Sequence, residues 1–475
     1  MPGPIVDPSS LLPEPSSAPA VRAALEAAGF TGGGIAALVG ADASTLAAPH
    51  TRDAYVALAT RFGSPLAALV RLFVLYDEVP RAELDSELIA VLESAGFVTV
   101  EELVVPLVAL LPLGGLLVAF DRGDVDSPDV VAGVHGPSRA LADLTLRAPV
   151  RTALDVGTGN GIQAVLLAQN AEHVVATDLS QRALGFARVT CLLNDVDNVE
   201  LRVGSLLEPV RGEQFDLVAI NPPYLIAPSE AEIFRSNPDL GDALCARLCA
   251  ELPSVLRPGG VATVMLSWVE RDDAAPLNWF IEDAVDVLVL HGRTESVMTT
   301  VTSWTRDTVG QPGHRERASR WLDHYSEHGM THISYGAAIV RKPSEPRATA
   351  SLVIPLGSEV SRPATDQIEH ALEAIEVLSA AEEPLDLPIS LDAGAVLTQS
   401  RRAGPGRWFP VAAEIASDID MPFALALGPV QVALVEALGV GAPTMGAAVA
   451  ATGADPEVGR ELLLDLLIRA HATLD

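Results

Sequence analysis

The sequence predicts an α/β fold: a mostly parallel sheet covered by helices on both faces, with helical or winged-helix-like regions before and after it. Three observations carry this. From about residue 150, short apolar runs alternate with helical segments, the pattern of strands buried on both faces. The first of those runs opens into a glycine-rich turn, Gly157-Thr158-Gly159-Asn160-Gly161. And 475 residues exceed one ordinary core; at roughly 150 residues per domain the chain divides into about three.

The start, 1–18, is rich in Pro and Ser and reads as a loose, disordered tail; it has no basic segment followed by an apolar run, so it is not a signal peptide. A region over 19–125 follows. Val21–Ala28 has helical spacing and Gly29 ends it. Further helices run to about Ala95, then Val98–Leu111 and Leu116–Phe120 read as strands about the turn Pro112–Gly115. Residues 1–100 hold 11 acidic and 5 basic side chains, so a winged-helix-like unit here suits protein contact or packing rather than DNA reading. Over 130–342 the expected strands are Arg151–Val156, His173–Asp178, Val199–Val203, Phe215–Ile220, Val261–Leu266 and Asp286–His291, with Thr331–Val340 as a closing strand. Ile162–Gln169, Gln181–Leu193 and Leu240–Leu252 are the expected helices, and Asn278–Ala284 extends the pattern less clearly. A polar insert, 292–330, contains a helix at Arg315–Glu327. Lys342–Ala350 is a charged, Pro-containing linker. The remainder, 351–475, is an α+β or helical accessory region whose end is helical over Gln431–Leu438, Thr444–Ala451 and Pro456–Leu474.

Composition narrows the function. Apolar residues at 49% against 20% charged exclude global disorder. The net charge of −31 speaks against non-specific binding along nucleic acid, while leaving room for a local basic cleft. The closest approach to a membrane span, Leu103–Phe120, is interrupted by Pro106, Pro112, Gly114 and Gly115, so no membrane association is expected. Cys191, Cys245 and Cys249 are too few for a disulfide framework and suit a reducing cytoplasm. Cys245 and Cys249 share a helix face and read as buried small residues. His324, His328 and His332 fall four apart, but Gly329 breaks the helix before the third, so no metal site is expected.

Two short elements carry chemistry. In the turn at 157–161, glycines let the backbone bend sharply and approach a ligand closely. A dinucleotide fingerprint needs a glycine where Ile162 stands, which disfavours hydride transfer. Asp178 ends the second strand, 21 residues after Gly157, where a carboxylate can accept both hydroxyls of a ribose. It can also cap the next helix with Ser180. Strand Phe215–Ile220 runs into Asn221-Pro222-Pro223-Tyr224. The Asn221 side-chain oxygen and the Pro222 carbonyl, fixed side by side by two prolines, can accept the two hydrogens of a planar amino group. Tyr224 can stack on that group.

Together, Leu154-Asp155-Val156-Gly157-Thr158-Gly159-Asn160-Gly161 and Asn221-Pro222-Pro223-Tyr224 resemble the class I S-adenosylmethionine-dependent methyltransferases. More narrowly they resemble the "small domain" N-methyltransferases, which include release-factor glutamine methyltransferases and ribosomal RNA guanine N2-methyltransferases. The resemblance covers about 130–342. It implies a Rossmann-like seven-stranded methyltransferase sheet with a final antiparallel strand, and S-adenosyl-L-methionine as cofactor. It places Gly157, Thr158, Gly159 and Gly161 along the methionine part, Asp155 near the methionyl amine and Asp178 on the ribose. Asn221, Pro222 and Tyr224 would be catalytic, with Pro223 and Arg139 on the substrate side. Relatives often carry an acid after the third strand, near the adenine ring; here Gly204-Ser205-Leu206-Leu207 stands there, and Ser205 or its N–H takes that place.

The resemblance implies methyl transfer to a planar nitrogen, with a protein glutamine amide slightly favoured by the acidic flanks. An exocyclic amine of rRNA, tRNA or DNA is the alternative, served by a cleft with Arg293, Arg306, Arg315, Arg317 and Arg320. A non-catalytic assembly module is the third reading, opposed by the intact loop and Asn-Pro-Pro-Tyr. Trp304 and Trp321 read as anchors of the insert.

Overall fold

The computed structural model describes residues 3–46, 51–228, 241–271, 276–280, 285–356, 364–405, 407–417 and 424–474. At its centre lies an eight-stranded sheet. Its strands are β1 (Val150–Val156), β2 (Ala171–Asp178), β3 (Val199–Val203), β4 (Phe215–Ile220), β5 (Leu256–Val269), β6 (Asp286–Ser296), β7 (His332–Arg341) and β8 (Ser351–Pro355). The spatial order is β8-β6-β7-β5-β4-β1-β2-β3. β7 runs antiparallel to β5 and β6, and the other adjacent pairs are parallel. The order reverses beside β1, which opens a crevice at the carboxyl ends of β1 and β4.

The helices of this layer are α1 (Gly136–Leu144), α2 (Ile162–Ala168), α3 (Gln181–Leu193), α4 (Ala243–Val255), α5 (Val297–Trp304), α6 (His314–Glu327) and α7 (Thr365–Ala380). α4 buries Cys245, Leu248, Cys249 and Leu252 against Val156, Val218 and Ile220 on one face of the sheet. α1 and α7 bury Leu141, Leu144, Ile368, Leu372 and Ile375 against Ala153, Leu217 and Ile339 on the other. The alternating burial of β1 and β4 into both clusters is why these strands read as continuous apolar runs. The expected helix Leu240–Leu252 begins at Ala243, and Leu240 itself lies outside the described residues, as do 281–284 of Asn278–Ala284.

The structure corrects the sequence reading in three places. The sheet has eight strands rather than seven. β8 pairs parallel with β6, from Val287 against Ser351 to His291 against Pro355. Nor is the segment before it a loose linker: the fully buried Asp286 carboxylate takes Arg341 at 3.2 Å and Arg347 at 2.6 Å. It also accepts the Ala350 N–H at 3.2 Å. A buried carboxylate must be paired to be tolerated, so this cluster holds 342–350 against the sheet and delivers β8 to its edge. Third, the first residues are not a disordered tail. Leu11 and Leu12 are fully buried, and the chain lies along α3, where Arg182 donates to the Val6 carbonyl (2.6 Å) and Arg188 to that of Leu11 (2.6 Å).

The region before the sheet packs five helices, from Ala18–Ala27 to Ser86–Ser94, beside a three-stranded antiparallel sheet of Val79–Pro80, Val98–Val100 and Leu103–Pro106. A hairpin of Ala109–Leu113 and Leu116–Phe120 follows, turning at Gly114 and Gly115, both at positive φ. That hairpin docks on α3: the Ala119 N–H donates to Thr190 Oγ1 (3.1 Å) and Asn194 bonds both polar groups of Leu117. Phe186, Val189 and Leu193 of α3 belong to the same core as Phe30, Phe73 and Phe97. After α7, helices Pro429–Gly439, Met445–Thr452 and Pro456–Ile468 form a further core with Ile389–Leu391, which pairs with Ala472–Leu474. A long hairpin of Val396–Gly404 and Arg407–Ala416 completes this region. No helix among the described residues is long and apolar enough to cross a membrane.

Candidate functional site

β1 and β4 are hydrogen-bonded neighbours in register, with Val156 opposite Ile220. The next residue of each strand is therefore the first of a turn: Gly157 on one, Asn221 on the other. A Cβ on Gly157 would lie 3.8 Å from the Asn221 carbonyl oxygen, so the two turns share one crevice.

The glycine turn is built by positive φ at Gly157 (72°), Gly159 (54°) and Gly161 (84°). The Gly157 and Thr158 N–H groups both donate to the Thr177 carbonyl at 2.9 Å, and the Gly159 N–H donates to Asp178 Oδ2 at 2.9 Å. The other Asp178 oxygen accepts the Ser180 N–H at 2.8 Å. Asp178 thus ties the turn to the start of α3, and each of its oxygens keeps lone-pair capacity for a further donor. The three glycines differ in what they serve. A Cβ at Gly159 would meet nothing closer than the Gly157 carbonyl at 4.0 Å, which leaves that side open to a ligand. A Cβ at Gly161 would sit 2.8 Å from Ala187 Cα, so this glycine serves the packing of α2 on α3. Gly161→Ala is expected to destabilise the fold by about 2–3 kcal/mol, from overpacking at a positive φ; a denaturation midpoint equal to wild type contradicts this.

Asp155 is 1% exposed. Its Oδ2 and the hydroxyl of Thr158 are buried and face each other without forming a well-aligned hydrogen bond. Burial pushes the Asp155 carboxyl up to about 7; the Thr158 hydroxyl and the Ala164 N–H oppose the rise, and the nearby Asp178 carboxylate adds to it. Burial likewise raises Asp178. Orphaned buried polar atoms call for a partner, and a carboxylate that faces a glycine turn suits a cationic ligand group. At the end of β3, the Gly204 N–H donates to the Asp178 carbonyl (2.9 Å), which brings Ser205 to the same edge of the sheet. Leu179, between Asp178 and Ser180, is 63% exposed and offers an apolar surface there. Sequence reasoning passed over it because a single exposed leucine has no pattern.

In the second turn, Asn221 Nδ2 makes a long hydrogen bond (3.4 Å) to Ser138 Oγ on α1, which presents Oδ1 as the acceptor end. Gln163 of α2 holds the Ser138 carbonyl (2.6 Å), so α1 and α2 together orient Asn221. The Pro222 carbonyl already accepts the Tyr224 N–H at 2.7 Å, closing a tight turn with one lone pair remaining. Pro222 is buried and Pro223 partly exposed. Tyr224 is half-buried and packs against three core clusters, so it anchors the turn as well as lining it; burial raises its phenol well above the usual range. Its carbonyl accepts the Ser267 hydroxyl of β5.

Arg139 is placed differently from the expectation. Its guanidinium pairs with Asp42 (2.9 Å) and bonds the Ser44 hydroxyl, both in the N-terminal region. Ser138, one residue earlier and about 100° around the helix, is the α1 residue that reaches the turn.

The insert rises from the same edge. β6 is parallel to β5 through their common neighbour β7, so its carboxyl end points to the same rim as the Asn-Pro-Pro-Tyr turn, and Val301 of α5 shares an apolar cluster with Tyr224. A register shift between His291 and Arg293 re-aims Arg293. Its guanidinium lies 4.6 Å from the Tyr335 ring centroid. Trp321 and Tyr325 of α6 are buried against Leu225, Ile226 and Ala227, and Tyr325 Oη donates to the Ile226 carbonyl at 2.7 Å. Trp321 is therefore an anchor; Trp304 is 36% exposed. The His324 and His328 rings lie 4.9 Å apart, tilted by 49°, and no group of three His, Cys, Asp or Glu side chains converges as a metal-ligand set among the described residues.

Parts of this chain are similar to known proteins. Residues 133–267 match the family model "Methyltransferase small domain", and 27–106 match "Domain of unknown function (DUF7059)". The chain is 31% identical over 176 residues to a release factor glutamine methyltransferase of Xylella fastidiosa, covering 34% of this chain and 61% of that protein. It is 40% identical over 167 residues to a release factor glutamine methyltransferase of Deinococcus radiodurans, covering 32% and 58%. The chain thus spans about three fifths of the length of these relatives. A solved methyltransferase of Pyrococcus furiosus aligns with 49% of this chain and 91% of its own, at 19% identity and a TM-score of 0.28.

Proposed function

We propose, from the match of residues 133–267 to the methyltransferase small-domain family model, that the chain transfers a methyl group from S-adenosyl-L-methionine to a planar nitrogen, a glutamine side-chain amide of a protein. The observation that carries this is the adjacency of the two turns, one residue beyond the paired Val156 and Ile220. The orphaned oxygen of Asp155 and the open side of Gly159 fit the cofactor. Asp155 would hold its amine, the 157–161 backbone its methionyl chain, Asp178 its ribose, and Ser205 with Leu179 its base. Bound there, the cofactor supplies an electrophilic methyl carbon on a sulfonium.

The chain's own work is on the acceptor. An amide nitrogen is a poor nucleophile because its lone pair is delocalised. Asn221 Oδ1 and the second lone pair of Pro222 O accept its two hydrogens and hold the nitrogen in line with the methyl. As positive charge develops on nitrogen, these dipoles are already oriented toward it. The nitrogen's proton then leaves to solvent or to an acceptor of the crevice. Naming of the curated relatives as release factor glutamine methyltransferases favours the amide over a nucleobase amine.

Asp155 gives this reading a pH signature. In the free protein its carboxyl titrates near 7, against 3.8 for the ordinary group. Between those values unfolding releases a proton, so the free protein loses stability as pH rises toward 7 and levels off above it. An ammonium beside Asp155 favours the carboxylate, so cofactor binding releases the proton. Affinity for S-adenosylmethionine should therefore fall about tenfold for each pH unit below 7 and be flat above. Calorimetric titration from pH 5.5 to 8.5 checks this; Asp155→Asn should bind more weakly with a flat profile, and a flat profile in wild type contradicts the assignment. The function itself is tested by methyl-label transfer to protein, rRNA and tRNA fractions of the host. Label in the protein fraction, on a glutamine amide, is expected; label confined to RNA rejects the amide.

A further inference from the structure

The hairpin Val396–Gly404/Arg407–Ala416 is exposed along most of its outer length. Residues 400–403 and 407–412 are exposed on both faces of the ribbon. Its register places Arg402 opposite Phe409 and Gly404 opposite Arg407, which puts Arg402, Arg407 and Phe409 on one face. Arg401 lies opposite Pro410 and Ala403 opposite Trp408, which puts Arg401 and Trp408 on the other. Trp408 is 66% exposed and Phe409 37%. The Arg407 guanidinium stacks 4.4 Å from the Phe409 ring centroid. Among the described residues none of the three arginines pairs with a carboxylate.

This arrangement opposes the rest of the chain. Residues 351–475 carry 18 acidic and 6 basic side chains, yet 399–411 holds three of those six and no acid. Arg401 donates to Gln399 Oε1 (3.2 Å), but guanidiniums without a carboxylate and an exposed indole on a ribbon tip contribute nothing to the core beneath it. An interface with a folded protein would ordinarily bury one face of such a ribbon. Here each face carries both a cation and an aromatic ring, which suits a ligand that surrounds the ribbon with negative charge and offers flat rings to stack on. Within a Debye length of about 8 Å at physiological salt, the local cluster outweighs the distant net charge.

We propose that this hairpin binds RNA through unpaired nucleotides, with Arg401, Arg402 and Arg407 on phosphates and Trp408 and Phe409 stacking on bases. The inference stands apart from the methyl acceptor: it gives the enzyme a handle on an RNA-containing assembly, whatever nitrogen the crevice receives.

The test is fluorescence anisotropy of the full chain with a labelled, unstructured 20-nucleotide RNA. Three phosphate contacts on a single strand predict a log–log salt slope of about −2, or roughly 20-fold weaker binding at 200 mM than at 50 mM salt. The variant with Arg401, Arg402 and Arg407 all changed to Ala should lose this binding and its salt dependence. Trp408→Ala with Phe409→Ala should weaken it about tenfold or more. Arg460→Ala, an exposed arginine already paired with Glu457 at 3.3 Å, should bind as wild type. The hairpin variants should keep wild-type denaturation midpoints. RNA binding unchanged in the triple variant, or absent in wild type at 50 mM salt, overturns the proposal. So does equal competition by an oligo-aspartate peptide, which would assign the hairpin to an acidic protein.

Discussion

Asn221→Ala is expected to lower the rate of methyl transfer by about 10²–10³-fold while leaving S-adenosylmethionine affinity within about twofold of wild type. The magnitude is that of removing one preorganised hydrogen-bonding group aimed at developing charge. The selectivity follows from position. Asn221 is the first residue after β4, whereas the cofactor's assigned contacts lie at the carboxyl ends of β1, β2 and β3 and the turns that follow them. Its polar tie to the rest of the crevice is a 3.4 Å bond to Ser138, so truncation removes an acceptor without dismantling the glycine turn. Single-turnover rates and a binding titration on the same preparation check both halves. Loss of cofactor affinity in parallel with rate would show that the turn is structural; an unchanged rate would remove Asn221 from the mechanism.

Asp178→Ala acts on the other half of the crevice. Here the expected effect is a roughly 10²-fold loss of cofactor affinity, about 2–3 kcal/mol. Two ribose hydroxyls would lose a charged acceptor. In addition, the Gly159 N–H, 2.9 Å from Asp178 Oδ2, and the Ser180 N–H, 2.8 Å from Oδ1, would lose the group that fixes the turn to α3. Asp178→Asn separates the two contributions: the amide retains one acceptor for the backbone but presents a donor to the ribose. An affinity that recovers fully in Asp178→Asn would mean that the carboxylate serves the turn alone. The two variants together distinguish the sides of the site, since one is read in rate and the other in binding.

Both turns were legible in the sequence because each follows a strand buried on both faces, and such strands read as apolar runs that end abruptly at Gly or Asn-Pro-Pro. What the sequence hid were elements fixed by distant partners. β8 is five residues long with exposed positions at both ends, and nothing local marks it as part of the main sheet. The Asp286–Arg347 pair, 61 residues apart, places it there. The first 18 residues read as a tail because Pro and Ser dominate them, yet Leu11 and Leu12 are buried where the chain meets both the Ala95–Gly96 turn and α3, about 170 residues later. The last helix was expected to reach Leu474; it stops at Ile468, Ala470 takes a positive φ, and Ala472–Leu474 turns back to pair with Ile389–Leu391. Arg139 and Ser138 show the limit within the site itself. Both lie on α1, and its helical phase decides which faces Asn221 and which faces Asp42.

The proposed methyl transfer requires one crevice that holds the cofactor on the 157–161 turn and the acceptor nitrogen on the Asn221–Tyr224 turn. A crystal structure with S-adenosylhomocysteine and a glutamine-containing peptide tests it directly. The expected result puts the homocysteine along Gly157–Gly161, the ribose on Asp178, and the glutamine amide nitrogen at hydrogen-bond distance, about 3 Å, from both Asn221 Oδ1 and the Pro222 carbonyl. A cofactor on the glycine turn with the amide held elsewhere, or a nucleoside bound away from Asp178, would contradict it.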